Sequence, residues 1–275
     1  MAGSHAGFAR RRVHRLRGGV VECVEDVVAE EVPIALVYNG RPHVVMMATP
    51  CDLHDFALGF SLTEAVIGAA EELESIEVQA LLEGIEIRMR IPQACADALE
   101  ARRRNLTGRT SCGLCGAQAL EDALRLPPRV KSDLCIDAAA LSKALAALHE
   151  RQPLNQATGA THAAAWANAD GTLAQVREDV GRHNALDKLV GALARENADF
   201  TAGFLVVTSR ASYEMAQKAA TVGVGVLAAI SAPTALAIQL ATQANLGLVG
   251  FARGGNCVVY AVPGRIAQLG RESSP

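Results

Sequence analysis

Two cysteines three residues apart, Cys112 and Cys115, each followed by a glycine, are the side chains best placed to do chemistry in this chain. They sit in Thr107-Gly108-Arg109-Thr110-Ser111-Cys112-Gly113-Leu114-Cys115-Gly116, where the glycines open turns closed to other residues. A short helix is expected over 117–124, which puts Cys115 near a helix N-terminus, where the dipole favours an anion. Arg102, Arg103, Arg104 and Arg109 add positive charge. Such a thiol carries appreciable thiolate at neutral pH, the form that attacks sulfur. Among sequences with this cysteine content a CxxC arises by chance in roughly one of six. The weight therefore falls on the flanking glycines and arginines.

A second concentration of reactive types is Glu178-Asp179-Val180-Gly181-Arg182-His183-Asn184-Ala185-Leu186-Asp187-Lys188, at the start of an otherwise apolar helix. Asp179 is suited to capping, His183 to acid–base work, and Arg182 and Lys188 to holding phosphate. The same residues could equally form a structural network of buried charges. Three shorter clusters each follow an apolar strand: Thr208-Ser209-Arg210, Ser231-Ala232-Pro233-Thr234 and Arg253-Gly254-Gly255-Asn256. Singly, each reads as ordinary capping or turn chemistry. Together on one sheet rim, they point to a phosphate-bearing ligand. His162, near an apolar strand, reads as a core histidine.

The elements that position these groups follow from the pattern. An apolar run over 31–38, then Asn39-Gly40 and 41–48, reads as a hairpin. Asp52 is a candidate N-cap for a helix over 53–66. A second hairpin is expected over 76–91 with its turn at Glu83-Gly84, followed by a helix over 93–104. Asp137 is expected to cap a helix to about 151. Strands near 161–168 and 172–177 come next, and then strands at 203–208, 225–230, 246–251 and 257–262 alternate with helices at 185–194, 213–221 and 233–244. This alternation implies a layered α/β half with partly parallel strands.

Composition sets limits. Half of the 275 residues are hydrophobic and a fifth are charged, an ordinary globular balance, and the net charge of −3 argues against a general nucleic-acid binder. An odd, scattered cysteine count suits a reducing compartment, so a cytoplasmic protein is expected. No apolar run suggests membrane insertion. Arg10, Arg11, Arg12, Arg15 and Arg17 suggest a basic, disordered arm over 1–20. The expected organisation continues with a smaller α+β domain over 21–130 ending in the CxxC loop, an α/β domain over 131–265, and a tail over 266–275.

Taken together, the sequence strongly resembles the FdhD family of formate dehydrogenase accessory sulfurtransferases. The resemblance rests on Glu31-Val32-Pro33, Val37-Tyr38-Asn39-Gly40, Met47-Ala48-Thr49-Pro50, Leu58-Gly59-Phe60 and Ser111-Cys112-Gly113-Leu114-Cys115-Gly116. The run from Glu178 to Lys188, Ser231-Ala232-Pro233-Thr234 and Gly250-Phe251-Ala252-Arg253-Gly254 complete it. It implies a mixed α/β (α+β) fold: a cytidine-deaminase-like mixed-sheet domain with a smaller α+β N-terminal domain, in a homodimer. It further implies that persulfide sulfur passes from a cysteine desulfurase to the molybdenum (or tungsten) bis(molybdopterin guanine dinucleotide) cofactor, which formate dehydrogenase needs. By match, Cys112 carries the persulfide and Cys115 assists. Phe251, Ala252, Arg253, Gly254, Gly255 and Asn256 correspond to the cofactor-binding segment, with GDP as a mimic. Arg182, His183, Asn184, Ser209, Arg210 and Thr234 are further candidates. The chain departs from the family pattern at Thr208-Ser209-Arg210, where Ser-Gly-Arg is expected, and at Ala65, where glycine is usual.

Rival chemistries fit less well. A zinc deaminase needs His-x-Glu with Pro-Cys-x-x-Cys, and a structural zinc site needs a second ligand pair; neither pattern occurs. A thioredoxin-like enzyme would place CxxC after its first strand. A non-catalytic cofactor-binding chaperone for formate dehydrogenase is the alternative function.

Overall fold

A computed structural model describes residues 7–107 and 126–270. Cys112, Cys115 and the helix expected over 117–124 lie outside the described residues. The chain begins with an antiparallel hairpin of β1 (Phe8–Arg17) and β2 (Val20–Ala29), paired from Phe8↔Ala29 to Arg17↔Val20. A disordered basic arm was expected here, and the strands correct that expectation. Gly18-Gly19 takes the turn at φ +55° and +85°. Val20, Val21, Val24, Val27 and Val28 favour extended backbone, and Glu25 and Asp26 meet Arg10 and Arg15 across the ladder at 2.7 and 3.5 Å.

Next come β3 (Val32–Tyr38) and β4 (Arg41–Ala48), closed at Asn39-Gly40 with φ +49° and +77°, the two-residue turn expected from the sequence. β5 (Ser75–Leu81) and β6 (Gly84–Arg90) form the second hairpin, with Leu82-Glu83 as its turn rather than Glu83-Gly84. Gly84 instead opens β6, where a Cβ would strike the Pro33 carbonyl. These strands make one sheet in the order β4-β3-β6-β5. Helix α1 (Leu53–Thr63) follows β4 and α2 (Gln93–Thr107) follows β6. Asp52 stands at the N-cap of α1 in a left-handed conformation, but its carboxylate makes no capping bond.

The second sheet has six strands in the order β12-β11-β10-β9-β7-β8. They are β7 (His162–Asn168), β8 (Leu173–Asp179), β9 (Gly203–Val207), β10 (Val226–Ala229), β11 (Gly247–Arg253) and β12 (Asn256–Ala261). Helix α3 (Ala138–Leu148), capped by Asp137 as expected, packs on one face; α5 (Arg182–Arg195), α6 (Tyr213–Thr221) and α7 (Ala235–Ala244) cover the other. A short α4 (Pro153–Thr158) precedes β7. Phe204, Val206, Val226 and Ala228 face α3, whereas Leu205, Val207 and Leu227 face the other helices. Burial on both faces explains why these strands read as continuous apolar runs. One core joins Ile34, Leu36, Ile85 and Ile87 of the first sheet to Leu186, Leu189 and Leu205 of the second.

Helices α1 and α5 make backbone contact at that junction. A Cβ on Gly59 would collide with the Asp187 carbonyl, and one on Gly191 with the Asp55 carbonyl. Just past α1, Ala65 sits at φ +46°. The resemblance leads one to expect glycine at this position, and a left-handed backbone is the conformation that favours it. Ala65→Gly is expected to stabilise the fold by about 1 kcal/mol, the penalty for an L side chain there less the entropy that glycine adds to the unfolded chain. Urea unfolding checks it, and a lowered midpoint would contradict the assignment.

Candidate functional site

In the six-stranded sheet β8 to β11 are parallel except for the antiparallel β7, and β12 runs back against β11. The carboxyl ends of β8, β9, β10 and β11 therefore share one rim with the starts of β7 and β12. Helices α5, α6 and α7 begin at the same rim, so three positive dipole ends face it. The strand order turns back between β9 and β7, the kind of crevice in which open α/β sheets bind ligands.

The sequence-expected residues divide along this rim. Ser209 is buried, its Oγ donating to the Arg210 carbonyl at 3.0 Å, and Arg210 is exposed beyond it. The hydroxyl of Thr234 accepts the Ala237 N–H as the α7 N-cap, and the Thr234 N–H donates to the Ala211 carbonyl, tying the β9 end to the β10 end. The Phe251 N–H donates to the Ser231 carbonyl, which ties β10 to β11. Phe251 itself lies at φ +50° with its ring 41 % exposed. An exposed aromatic in that conformation, beside a break in strand register at 250–253, is stored strain of the kind found at ligand sites. Ala252 is buried, Arg253 and Asn256 are exposed, and Gly254-Gly255 turns at φ +57° and +77° with open space where a side chain would stand, the Asn256 amide donating to the Gly254 carbonyl at 3.2 Å.

The eleven residues from Glu178 to Lys188 separate into a frame and a face. Asp179 and Lys188, both fully buried, pair at 2.7 Å. Asp179 also accepts the N–H of Thr49 and of Gly181 and the amide of Asn184, at 3.0, 2.7 and 3.0 Å. Lys188 donates to the Thr49 carbonyl at 3.0 Å. Lys188 is thus a structural cation, which corrects its expected role in holding phosphate. Asn184 is buried with its amide spent on Asp179 and the Met47 carbonyl. Glu178 accepts the N–H groups of Leu154 and Asn155. Asp187 meets Lys218 at 2.9 Å and the Thr63 hydroxyl at 2.6 Å, and Glu64 reaches Lys218 at 2.8 Å. Burial alone would lower the Lys218 pKa, but these carboxylates outweigh it and hold the value above the ordinary one.

Arg182 and His183 form the face. Arg182 Nε and His183 Nε2 are buried atoms without a hydrogen-bond partner among the described residues, and the nearest carboxylate to His183 is Glu214 Oε2 at 3.9 Å. Burial, Arg182 and Lys218 push the His183 pKa down to about 4. At neutral pH it is therefore a neutral imidazole. His162, at the start of β7, is half-buried and lowered in the same sense by burial and Arg182. The rim thus gathers cationic Arg182, Arg210 and Arg253, three helix starts, an exposed ring and a bare glycine turn. Such a surface suits an extended anion that carries a base. Sequence reasoning missed Thr49, Lys218 and Glu214. Lys218 had a signal, as a lone cation among Met215, Ala219 and Ala220 on the buried side of α6.

Comparison with known proteins gives the family and the fold. The model of the FdhD/NarQ family matches residues 29–267. Sulfur carrier protein FdhD of Xanthomonas euvesicatoria is 58 % identical over 94 % of this chain and 92 % of its own. The protein of that name from Cupriavidus necator is 54 % identical over 96 % and 90 %. A crystal structure from Desulfotalea psychrophila, provisionally described as a formate dehydrogenase accessory protein, shares the fold with a TM-score of 0.72 at 24 % identity, over 94 % of this chain and 99 % of its own.

Two outcomes follow from the frame and the face. Lys188→Met leaves Asp179 as a lone buried anion and is expected to cost roughly 3–5 kcal/mol in a thermal or urea melt; a loss below about 1 kcal/mol would contradict the frame. Below its ordinary pKa of 6.5, His183 of the unfolded chain takes up a proton that the folded chain refuses. The stability His183 lends is therefore full above that pH and drains as the pH falls toward 4. In His183→Gln the unfolding profile between pH 7 and 4.5 should be flatter than in the parent, and parallel profiles would refute the assignment.

Proposed function

The chain belongs to the FdhD/NarQ family, and we propose that it is a sulfur carrier that serves formate dehydrogenase. It takes persulfide sulfur from a cysteine desulfurase and delivers it to the molybdenum (or tungsten) bis(molybdopterin guanine dinucleotide) cofactor. The observation that carries this reading is the rim, where Arg182, Arg210, Arg253 and three helix starts converge beside the bare Gly254-Gly255 turn. Pyrophosphates need charge and N–H donors, and they need backbone that lets them approach.

The roles follow from each group's chemistry. The Cys112 thiolate attacks the outer sulfur of the donor persulfide; the donor S–S bond breaks, the donor leaves as a thiolate, and Cys112 becomes the persulfide. Cys115, three residues on, assists the exchange. The guanidinium of Arg253 holds phosphate at the β11–β12 turn, with Arg182 and Arg210 flanking it. Phe251 offers its exposed ring to the base, and neutral His183 hydrogen-bonds an uncharged group of the bound cofactor. Ser209 and Thr234 shape the turns that present N–H groups, and Asn184 holds the start of α5 in place. The odd, scattered cysteine count suits a reducing compartment, so the protein acts in the cytoplasm, as a homodimer. No helix among the described residues is long and apolar enough to cross a membrane.

Carrier and chaperone differ in what Cys112 does. Cys112→Ala is expected to bind GDP with parent affinity in calorimetry yet fail to mature formate dehydrogenase. Full maturation by the variant would leave only a cofactor-binding chaperone. Arg253→Ala should weaken GDP binding by roughly ten-fold or more through loss of a charge-assisted contact, and unchanged affinity would remove Arg253 from the site.

A further inference from the structure

The rim is cationic, and Glu214 is the exception on it. It stands in the first turn of α6, just past the N-cap Ser212, with its side chain 58 % exposed. No lysine or arginine lies within ion-pair reach of its carboxylate among the described residues. Its neighbour there is His183 Nε2, 3.9 Å away, which is too far for a hydrogen bond. The imidazole is neutral at neutral pH, so it offers no charge to match. Glu214 thus keeps its anion and its acceptors beside a buried His183 nitrogen that also lacks a partner.

A carboxylate repels phosphate, so Glu214 is not among the groups that hold a pyrophosphate. It suits a part of the ligand that presents N–H donors. His183 supplies the complement, because its Nε2–H tautomer donates to a carbonyl oxygen. One donor beside a two-oxygen acceptor matches an edge that reads acceptor, donor, donor. The 2-amino-4-oxopyrimidine ring has that edge in its oxo group, ring N–H and exocyclic amine. Guanine and pterin both contain it, and the cofactor proposed above carries both. We propose that Glu214 and His183 read this edge, which makes Glu214 the residue that selects a 2-amino-4-oxo heterocycle. The role rests on the cofactor-binding reading and adds to it the part of the ligand that is recognised.

The fold brings this corner toward the exposed ring of Phe251. Ala211, three residues before Glu214, bridges to Pro233, and the Phe251 N–H donates to the Ser231 carbonyl. The ends of β9 and β11 are therefore two strand spacings apart, about 10 Å. A two-ring heterocycle can stack on Phe251 at one side of that gap and turn its amino edge to Glu214 at the other.

Calorimetry on the full-length chain with two ligand pairs tests this. The first pair is GDP and IDP, which lacks the 2-amino group; the second is pterin and lumazine, which has oxygen in its place. The parent should bind GDP or pterin roughly ten-fold or more tightly than its counterpart, because the lost donor leaves a carboxylate oxygen unmatched. The pair that discriminates identifies guanine or pterin as the group read. In Glu214→Gln that preference should shrink to within about two-fold, with the circular dichroism of the parent. An acid that serves only the helix dipole would leave the preference intact. Equal binding within both pairs by the parent, or a preference retained by Glu214→Gln, would overturn the role of Glu214 and leave the cofactor reading standing. Binding of none of the four ligands would overturn both.

Discussion

The buried pair of Asp179 and Lys188 is the interaction on which the arrangement of the site depends. Two charges without solvent hold together only when each is otherwise satisfied, and here the partners come from both halves of the chain. Thr49, from the end of the first sheet, gives its N–H to Asp179 and its carbonyl to Lys188. Gly181 and Asn184, from the start of α5, complete the shell of Asp179. The pair thereby fixes where α5 begins, and so where Arg182 and His183 point. The glycine contact between α1 and α5 serves the same end, since it lets the helices approach closely enough for Asp55 to hold both Arg177 and Arg195 at 2.8 Å.

This division of labour lets one charged stretch both stabilise the fold and present groups to the proposed ligand. Glu178, Asp179, Asn184, Asp187 and Lys188 turn inward and are consumed by the fold. Arg182 and His183, between them in sequence, turn to the rim with buried atoms unmatched. On the other side of the crevice, strain at Phe251 and the open glycine turn leave backbone free for a ligand. A rigid frame under an unsatisfied surface is the arrangement that the proposed recognition of an anionic ligand needs.

Much of this was legible in the sequence. The hairpin at Asn39-Gly40, the cap at Asp137 and the alternation of buried strands and helices from β9 onward follow from local chemistry, and the three strand-end clusters do share one rim. The role of Lys188 was not legible, because sequence order cannot say which side of a helix start faces a second sheet. Residues 8–17 read as disordered because their arginines dominate the composition, whereas the stabilising partners, Glu25 and Asp26, lie in the next strand. Ala65 looked like a packing detail, and only its backbone angle shows that the position favours glycine.

The most direct measurement is the intact mass of the protein after incubation with a cysteine desulfurase and cysteine, beside Cys112→Ala. A gain of one sulfur atom, removed by reductant and absent from the variant, is the result this account predicts. The same gain in the variant, or none in the parent while GDP still binds, would contradict it.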